Sequence, residues 1–274
     1  MKTWLITGCS SGIGRGIAKA VLAKGDQAVV TARNVESILD LAYQYPETAL
    51  AVALDVTLQS SIQIAVQKAL DKFGRIDVLV NNAGYGYRSS VEEGNVEDVD
   101  TLFKTNFFGP VELIKEVLPQ MRANKNGVIL NVSSIAGVRS GVGSGYYAAS
   151  KAALELMSDG LAKEVKPLGI EVMIVQPGAF RTRFYDDSLK GTQKKIDDYA
   201  EIAGKTRKEN VVNLENQPGD PDKAGQVLVD MVEKGNLPLR ILLGSDAVRL
   251  IETELENRLI ELRNNKSISI KTDY

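Results

Sequence analysis

The segment 3–33, TWLITGCSSGIGRGIAKAVLAKGDQAVVTAR, decides the fold of this chain. Residues 3–7 and 27–32 are short apolar runs, typical of strands that are covered on both faces. Between them, 13–24 has the amphipathic spacing of a helix, and a glycine-rich turn precedes it. The segment therefore predicts two parallel strands joined by a crossover helix.

The same alternation continues along all 274 residues. Further strands are predicted at 49–54, 77–81, 127–132, 170–175 and 240–243. Further helices are predicted at 35–44, 58–73, 97–123, 145–166, 220–234 and 246–263. Because crossovers between parallel strands are right-handed, this pattern predicts an α/β, doubly wound Rossmann fold with a seven-stranded parallel sheet. We expect a single domain over 1–274, with ligands bound beyond the carboxyl ends of the strands.

The composition excludes several classes of function. There are 33 Lys and Arg residues against 35 Asp and Glu, with both signs scattered, so the chain has no basic stripe for nucleic acid and no charged block for a membrane surface. The apolar run 49–54 is too short to span a bilayer, and the chain does not begin with a signal-peptide pattern. We expect a cytoplasmic protein with a small-molecule substrate and no nucleic-acid or membrane partner.

The chain contains no histidine and one cysteine. An internal disulfide, a histidine-based hydrolytic triad and an imidazole zinc site are therefore excluded, and we expect no metal site. Acid-base chemistry has to come from Tyr, Lys, Asp or Glu side chains.

The turn after the first predicted strand reads TGCSSGIG over 7–14. Glycine lets the backbone approach a pyrophosphate closely, and a helix start offers unpaired N–H groups with a partial positive charge. The spacing Gly-x3-Gly-x-Gly differs from the dinucleotide fingerprint, and a turn that only joins strand to helix is the alternative. We expect phosphate contacts from Gly8, Ser10, Ser11, Gly12, Ile13 and Gly14.

The end of the second predicted strand should select the cofactor. An acidic side chain there would bond a ribose 2′-hydroxyl and exclude a 2′-phosphate, whereas this chain has Arg33. Because a guanidinium suits phosphate, we predict NADP(H) over NAD(H). The alternative is that Arg33 only solvates the strand end.

Two further strand ends complete the expected adenosine site. Asp55, followed by Val56, is placed to accept a hydrogen bond from the adenine amino group, or else to cap the helix predicted at 58–73. The fourth strand ends in Asn-Asn-Ala-Gly at 81–84, where small residues let a ribose lie close to the backbone or form an ordinary turn. We expect cofactor contacts here from Asn82, Ala83 and Gly84.

Tyr147 and Lys151 lie four residues apart in a predicted helix and therefore share one face. A neighbouring ammonium favours the phenolate, which lowers the pKa of a tyrosine from about 10 towards neutrality. Tyr147 could then donate a proton to a carbonyl oxygen or accept one from an alcohol; a chance pair on a helix is the alternative. Ser134, at the end of the fifth strand, can hold the substrate oxygen as a hydrogen-bond donor, unless it only forms a turn.

In their order and spacing, these motifs resemble those of the short-chain dehydrogenase/reductase family in its single-domain form. The motifs span nearly the whole chain and are Thr7-Gly8-x3-Gly12-Ile13-Gly14, Asn81-Asn82-Ala83-Gly84, Thr105-Asn106-Phe107, Ser134 and Tyr147-x3-Lys151. The resemblance implies that Tyr147 is the acid/base, that Ser134 positions the substrate oxygen, and that Lys151 also binds the nicotinamide ribose. It further implies that Asn106 completes a catalytic tetrad, interrupts its helix and holds a water for proton relay.

The segment 177–182, PGAFRT, is similar to the family's nicotinamide segment. The resemblance implies cofactor contacts from Pro177, Gly178 and Thr182, the last of these to the carboxamide. Many NADP-dependent members carry a basic residue where this chain has Ser11, which leaves Arg33 as the main ligand for a 2′-phosphate. The family also implies a homodimer or homotetramer formed through the helices near 97–123 and 145–166.

The substrate is the least readable feature. We expect it to contact residues 139–145 and a lid formed by 181–221, a segment without a strand signal. Several aromatic side chains suggest an apolar pocket, as in members that act on steroid- or retinoid-like compounds: Phe107, Phe108, Phe180, Phe184 and Tyr185. Residues 264–274 are expected to form an exposed tail or an oligomer contact.

Together these features predict an NADP(H)-dependent oxidoreductase that interconverts a carbonyl compound and a secondary alcohol. One alternative is a ketoacyl-thioester reductase, which needs a basic surface for an acidic carrier; its candidates are Arg139, Arg181 and Arg183. Another is a non-catalytic NADP(H)-sensing protein. Such proteins tend to lose the tyrosine or the lysine, and this chain has both.

Overall fold

A computed structural model describes residues 1–184, 188–210 and 217–274. Its strands are β1 Thr3–Ile6, β2 Gln27–Ala32, β3 Ala49–Ala53, β4 Val78–Asn81, β5 Gly86–Arg88, β6 Gly127–Val132, β7 Ile170–Pro177, β8 Leu189–Gly191 and β9 Arg240–Leu243. Seven of them form one parallel sheet in the order β3-β2-β1-β4-β6-β7-β9, while β5 and β8 pair as a separate parallel ribbon. The predicted single-domain Rossmann fold with a seven-stranded parallel sheet is confirmed.

The helices are α1 Gly12–Ala23, α2 Leu39–Gln44, α3 Gln59–Phe73, α4 Val96–Phe103, α5 Gly109–Asn124, α6 Gly145–Val165, α7 Pro221–Lys234 and α8 Ser245–Ser269. Strand side chains alternate between two apolar layers, because successive residues of a strand point to opposite faces. Ile6 of β1 packs in one cluster with Ile17 of α1 and Leu228 of α7. The preceding residue, Leu5, packs in the second apolar cluster, on the opposite face of the sheet, with Leu113 of α5. Both faces of the sheet are therefore covered.

Helices α1 and α7 touch backbone to backbone. A Cβ atom added at Gly16 would lie 2.1 Å from the Pro221 carbonyl oxygen, and one at Gly225 would lie 2.3 Å from Gly16. Only glycine permits this approach. The start of α7 is fixed by Asp220, whose side chain accepts hydrogen bonds from the N–H groups of Asp222 and Lys223.

Three predicted elements differ in detail. The helix predicted at 97–123 is divided into α4, a π-helical turn Lys104–Phe108 and α5. The segment 181–221, predicted to contain no strand, contains β8, because a three-residue strand gives no periodic signal. Helix α8 continues to Ser269 rather than ending at residue 263. Within the described ranges, no helix is long and apolar enough to cross a lipid bilayer.

Candidate active site

A cleft of about 690 Å³ opens at the carboxyl ends of the parallel strands. The chain leaves β1 towards β2 on one side and returns to β4 on the other, so the strand order reverses between β1 and β4. Such a switch point is where doubly wound sheets bind ligands. Loops that follow β1, β2, β3, β4, β6 and β7 all contribute residues to the cleft.

Most residues predicted to bind the cofactor line this cleft. They are Gly8, Ser10, Ser11, Gly12, Ile13, Arg33, Asp55, Val56, Asn82, Ala83, Gly84, Tyr147, Lys151, Pro177, Gly178 and Thr182. Ser134 lines it as well, so three of the four predicted catalytic side chains share the cavity with the cofactor candidates. Gly14 and Asn106 do not line it. Gly14 packs against Asn82 and the Gly8 carbonyl oxygen, and Asn106 is completely buried.

The glycine-rich turn is fixed against the end of β4. The Thr7 hydroxyl accepts hydrogen bonds of 2.9 Å from the N–H groups of both Asn82 and Ala83, and Asn82 Nδ2 donates to the Thr7 carbonyl at 2.8 Å. Gly8 has φ +75°, a conformation that favours glycine. A Cβ at Gly14 would lie 2.3 Å from Asn82 Nδ2, so this position also has to be glycine.

The turn leaves the start of α1 available to an anion. Gly12, the first residue of α1, has φ +60°, and the side chain of Ser11 makes no capping hydrogen bond to the helix. The first N–H groups of a helix without such a cap are donors for phosphate. These features fit a pyrophosphate, and Ser10, Ser11 and Gly12 are the residues that would hold it.

At the ends of β2 and β3, the structure places Arg33 and Asp55 in the cleft. Arg33 is exposed. One oxygen of Asp55, Oδ1, accepts hydrogen bonds from the Thr57 N–H at 2.9 Å and the Thr57 hydroxyl at 2.7 Å. The carboxylate thus stabilises the turn at Thr57 and faces the cavity; it does not cap α3, whose N-cap is Leu58 with no side-chain capping bond.

Tyr147 and Lys151 lie one turn apart on α6 and both line the cleft. Lys151 Nζ is buried and donates a 2.9 Å hydrogen bond to the Val132 carbonyl at the end of β6. Burial lowers the pKa of Lys151 to about 8, and the nearby charge of Glu155 opposes this change. The ring of Tyr147 packs against Phe184, with 5.8 Å between ring centroids.

Asn106 links the π-helical turn to the catalytic helix. Its Oδ1 accepts a 3.1 Å hydrogen bond from the Tyr85 N–H, and its Nδ2 donates to the Tyr85 carbonyl at 2.9 Å. Nδ2 also lies 3.1 Å from Ser150 Oγ, and the Ser150 hydroxyl donates to the Tyr147 carbonyl at 2.7 Å. Asn106 therefore fixes the backbone beside both Tyr147 and the end of β4.

Gly84 shows how closely these groups meet. A Cβ at this position would lie 3.0 Å from Asn106 Oδ1 and 3.3 Å from Lys151 Nζ. A larger residue here would crowd both the amide and the ammonium, which would have to shift by a few tenths of an ångström. The glycine at position 84 was predicted to leave room for a ribose beside the backbone. The structure gives it a second role, because it also leaves room for the Asn106 and Lys151 side chains.

Ser134 begins the short 3-10 turn Ile135–Gly137 that follows β6, and its hydroxyl accepts a 3.1 Å hydrogen bond from the Ala136 N–H. This bond fixes the hydroxyl oxygen at the edge of the cleft. Its hydrogen is left to point towards a ligand, because the oxygen serves as the acceptor in that bond.

Glu155 is a site residue that the sequence analysis missed. It is buried one turn after Lys151, and it accepts hydrogen bonds from the Ser133 hydroxyl at 2.7 Å and from Gln176 Nε2 at 2.8 Å. The Lys-x3-Glu spacing 151–155 was the available signal. It places both residues on one helical face, as Tyr-x3-Lys does.

Tyr85 and Lys190 are further unpredicted cleft residues. Lys190, on β8, lies with its Nζ 4.8 Å from the centre of the Tyr85 ring. Burial raises the pKa of Tyr85 to about 12, with Asp98 adding to the increase and Arg33 opposing it. The ribbon of β5 and β8 thus brings a cation to the Tyr85 ring in the cleft.

The segment 177–182, which is predicted to contact the nicotinamide, lies against the glycine-rich turn. Thr182 packs on Gly12, where an added Cβ would be 3.0 Å from its Cγ2, and the Thr182 hydroxyl accepts a 3.2 Å bond from the Phe184 N–H. Asp246, at the start of α8, accepts a 2.8 Å bond from the Ala179 N–H and holds the segment in place.

The residues expected to contact substrate are only partly assembled in the cleft. Phe180 and Phe184 line it, as do Arg139, Gly141 and Ser144 of the predicted stretch 139–145. Phe107 and Phe108 do not line it: their rings meet edge to face on the π-helical turn, where Phe107 is half-buried, Phe108 is 53% exposed and Asn106 between Thr105 and Phe107 is buried. Tyr185 lies outside the described residues.

The segment 188–210 is fixed to the body through Glu93. This buried carboxylate pairs with Arg207 and accepts a 2.8 Å hydrogen bond from the Ile196 N–H. Burial alone would raise the pKa of Glu93, but the bonds from Ile196, Ser90 and Arg207 outweigh it and lower the pKa to about 2. No group of three or more Cys, Asp or Glu side chains that could hold a metal ion occurs in the described part of the chain.

Comparison with known proteins agrees with this geometry. The family described as short chain dehydrogenase matches residues 2–192. A short-chain dehydrogenase from Streptomyces avermitilis is 42% identical, with both chains fully covered and a TM-score of 0.92. The 3-ketodihydrosphingosine reductase of Bacteroides thetaiotaomicron is 36% identical over 88% of this chain and 87% of its own. A 3-ketoacyl-(acyl-carrier-protein) reductase from Brucella melitensis, solved with NADH, is 26% identical with a TM-score of 0.74 over 88% of this chain and 95% of that one.

The sheet, the cleft and these matches define an oxidoreductase that acts on a small molecule. The chain belongs to the short-chain dehydrogenase/reductase family. A nicotinamide cofactor is bound by a solved relative in this family, as the Brucella protein shows.

Proposed function

We propose that this protein interconverts a carbonyl compound and a secondary alcohol with NADP(H) as the hydride donor or acceptor. The observation that carries the proposal is the shared cleft. Tyr147, Lys151 and Ser134 line the same cavity as the glycine-rich turn and Arg33. A bound dinucleotide and a carbonyl group would therefore meet beside the phenol.

The proposed roles follow from the contacts of each side chain. Bound NADPH supplies the hydride. Tyr147 gives its phenolic proton to the carbonyl oxygen in reduction and takes a proton from the alcohol in oxidation. The Ser134 hydroxyl donates a hydrogen bond to the same oxygen and stabilises the charge that develops there.

Lys151 keeps the phenol acidic through its positive charge. Its pKa of about 8 leaves the buried ammonium mostly protonated at neutral pH. The Val132 carbonyl fixes one of its N–H groups, so the other two remain for a ribose hydroxyl or a water. Asn106 acts on the backbone of Tyr85 and, through Ser150, on that of Tyr147, and so holds the phenol in position.

The choice of NADP(H) rests on Arg33. It is an exposed guanidinium at the end of β2, in the position where an acidic residue would select NAD(H). Since a relative at 26% identity is solved with NADH, family membership alone does not decide the cofactor.

We propose an apolar ketone or alcohol as substrate. Phe180, Phe184, Ile135 and Leu250 give the cleft apolar lining, with the Phe184 ring against Tyr147. Of the predicted lid, Thr182, Phe184, Ser188 and Lys190 line the cleft. A relative at 36% identity is named a 3-ketodihydrosphingosine reductase, which fits an apolar ketone. The acyl-carrier alternative has less support, because Arg139 lies 4.0 Å from Glu254 and Arg181 donates to the Gln217 carbonyl.

The experiment is a panel of ketones, aldehydes and secondary alcohols, assayed with NADPH, NADP+, NADH and NAD+ by nicotinamide absorbance. It should include a long-chain ketone, a ketosteroid and a ketoacyl thioester. We expect turnover of an apolar ketone with NADPH. Cofactor binding without turnover of any compound would favour the sensing alternative.

A further inference from the structure

Helix α8 extends beyond the body of the protein. Only Ala247 and Ile251 of this helix are buried, and every residue from 255 to 274 is exposed. A short helix without tertiary packing is marginal in water, since most helical stability in proteins comes from a packed apolar face. Within the described ranges, no side chain from residue 255 onwards is buried against the rest of the chain, which leaves this half of α8 accessible to a second molecule.

An apolar stripe marks the face that such a partner would cover. Leu255, Leu259 and Leu262 follow the buried Ile251 at spacings of four, four and three residues and therefore lie in line with it. They are 54%, 46% and 63% exposed. Apolar residues at alternating three- and four-residue spacing form the seam between paired helices.

The charges beside this stripe have opposite signs at its two ends. Glu252 and Glu256 lie in the first half of α8, and Arg263 and Lys266 lie in the second. At 100° per residue, Glu252, Glu256 and Arg263 fall on one flank of the stripe, and Lys266 falls within the stripe itself, between the directions of Leu255 and Leu259. Among the described residues, none of the four forms an ion pair. The opposite flank faces the protein's own body, because Arg258 donates there to the Val138 carbonyl.

This arrangement is self-complementary in one orientation. When two identical helices pair antiparallel about a two-fold axis, the same flank of each helix meets, and the first half of one lies against the second half of the other. An axis near Leu259 places Glu252 and Glu256 opposite the partner copy's cations. A parallel pair would instead bring the two Lys266 ammonium groups together in the seam, and the flank with Glu252 and Glu256 would face the partner's opposite flank.

We propose that α8 is an interface between two copies of this chain, paired antiparallel through the leucine stripe 255–262. This inference does not depend on the proposed function. It differs from the interface that the family resemblance implies, through α5 and α6. Asp246 and Leu250 of α8 line the cleft, so the pairing would also fix one wall of the active site.

The test is the mass of the full chain in solution, by sedimentation velocity and light scattering over a range of concentrations. Two double variants, Glu252→Lys with Glu256→Lys and Arg263→Glu with Lys266→Glu, should each weaken the dimer about tenfold or more. The fourfold variant restores the opposite-sign contacts and should dimerise like the wild type. An equimolar mixture of the two double variants should form heterodimers.

The controls separate this interface from others. All four charged residues are exposed, so each double variant should keep the wild-type circular-dichroism spectrum at room temperature, while its melting temperature should depend less on protein concentration than that of the wild type. Leu156→Glu changes a 73% exposed residue of α6 and should leave the α8 contact intact. A monomeric wild type, an assembly that the charge reversals leave unchanged, or charge reversals that alter only vesicle binding would overturn the proposal.

Discussion

The Ser133 hydroxyl donates a 2.7 Å hydrogen bond to the Glu155 carboxylate, whose other oxygen accepts a 2.8 Å bond from Gln176 Nε2. This relationship joins α6 to the carboxyl ends of β6 and β7. Ser134 and Pro177, the next residues of those two segments, both line the cleft. Glu155 is thereby a positioning residue, and its negative charge also acts on the buried Lys151.

Replacing Glu155 with Gln removes this charge while nearly preserving the volume of the side chain. Glu155 opposes the pKa decrease that burial causes at Lys151, so the variant should lower the Lys151 pKa further. Because the proposed mechanism uses the Lys151 ammonium, the alkaline limb of the kcat/KM profile should move to lower pH.

The matched control is Glu164→Gln, an exposed carboxylate on the same helix. It should leave the profile unchanged. A purely structural role for Glu155 would appear as a uniform loss of rate at every pH, with the alkaline limb unmoved.

Arg33→Ala tests the choice of cofactor. Loss of a charged hydrogen bond to the 2′-phosphate should weaken NADPH binding about 10- to 100-fold while leaving NADH binding nearly unchanged. Dissociation constants from nicotinamide fluorescence measure this directly. Arg122→Ala, at an exposed arginine on α5, serves as the control. Equal weakening for both cofactors would contradict a phosphate-specific role.

Glu93→Gln tests how the segment 188–210 is held. The variant leaves Arg207 without its buried partner, which should lower the free energy of unfolding by about 3 kcal/mol at neutral pH. The pKa of Glu93 is about 2 in the folded state against an ordinary 4.5, so its contribution is complete above about pH 4.5 and is lost as the pH falls towards 2.

Urea unfolding at neutral pH and at pH 3 measures the difference between wild type and variant. We expect that difference to shrink at the lower pH. Glu97→Gln, at an exposed position of α4, should show no comparable change. A loss of stability that is the same at both pH values would mean that the charge of Glu93 is not what holds the segment.

Much of the fold and site could be predicted from local patterns. The alternation of apolar strands and amphipathic helices predicted the parallel sheet. A strand that is buried along nearly its whole length, such as β2, appears in the sequence as a continuous apolar run. The glycines of the turn 7–14 and the Tyr147–Lys151 spacing predicted which residues line the cleft. Both patterns lie within eight consecutive residues, so they can be recognised without knowledge of the tertiary structure.

The features that were missed depend on contacts between distant segments. The three-residue strands β5 and β8 are too short to give a period, and they place Lys190 over Tyr85 only once they pair. Glu155 gains its role from Ser133 and Gln176, which lie 22 and 21 residues away. The aromatic pair Phe107 and Phe108 misled because a π-helical turn, not an ideal helix, sets where those rings point.

The most direct measurement is the single-turnover rate of Tyr147→Phe with NADPH and a ketone that the wild type reduces, beside the cofactor dissociation constant of the same variant. Tyr146→Phe is the matched control, since that adjacent hydroxyl donates to the Val91 carbonyl at 2.8 Å. We expect Tyr147→Phe to bind NADPH normally and lose about 10²- to 10⁴-fold in rate, with Tyr146→Phe nearly unaffected. A Tyr147→Phe protein with near wild-type turnover would contradict the central role of this phenol.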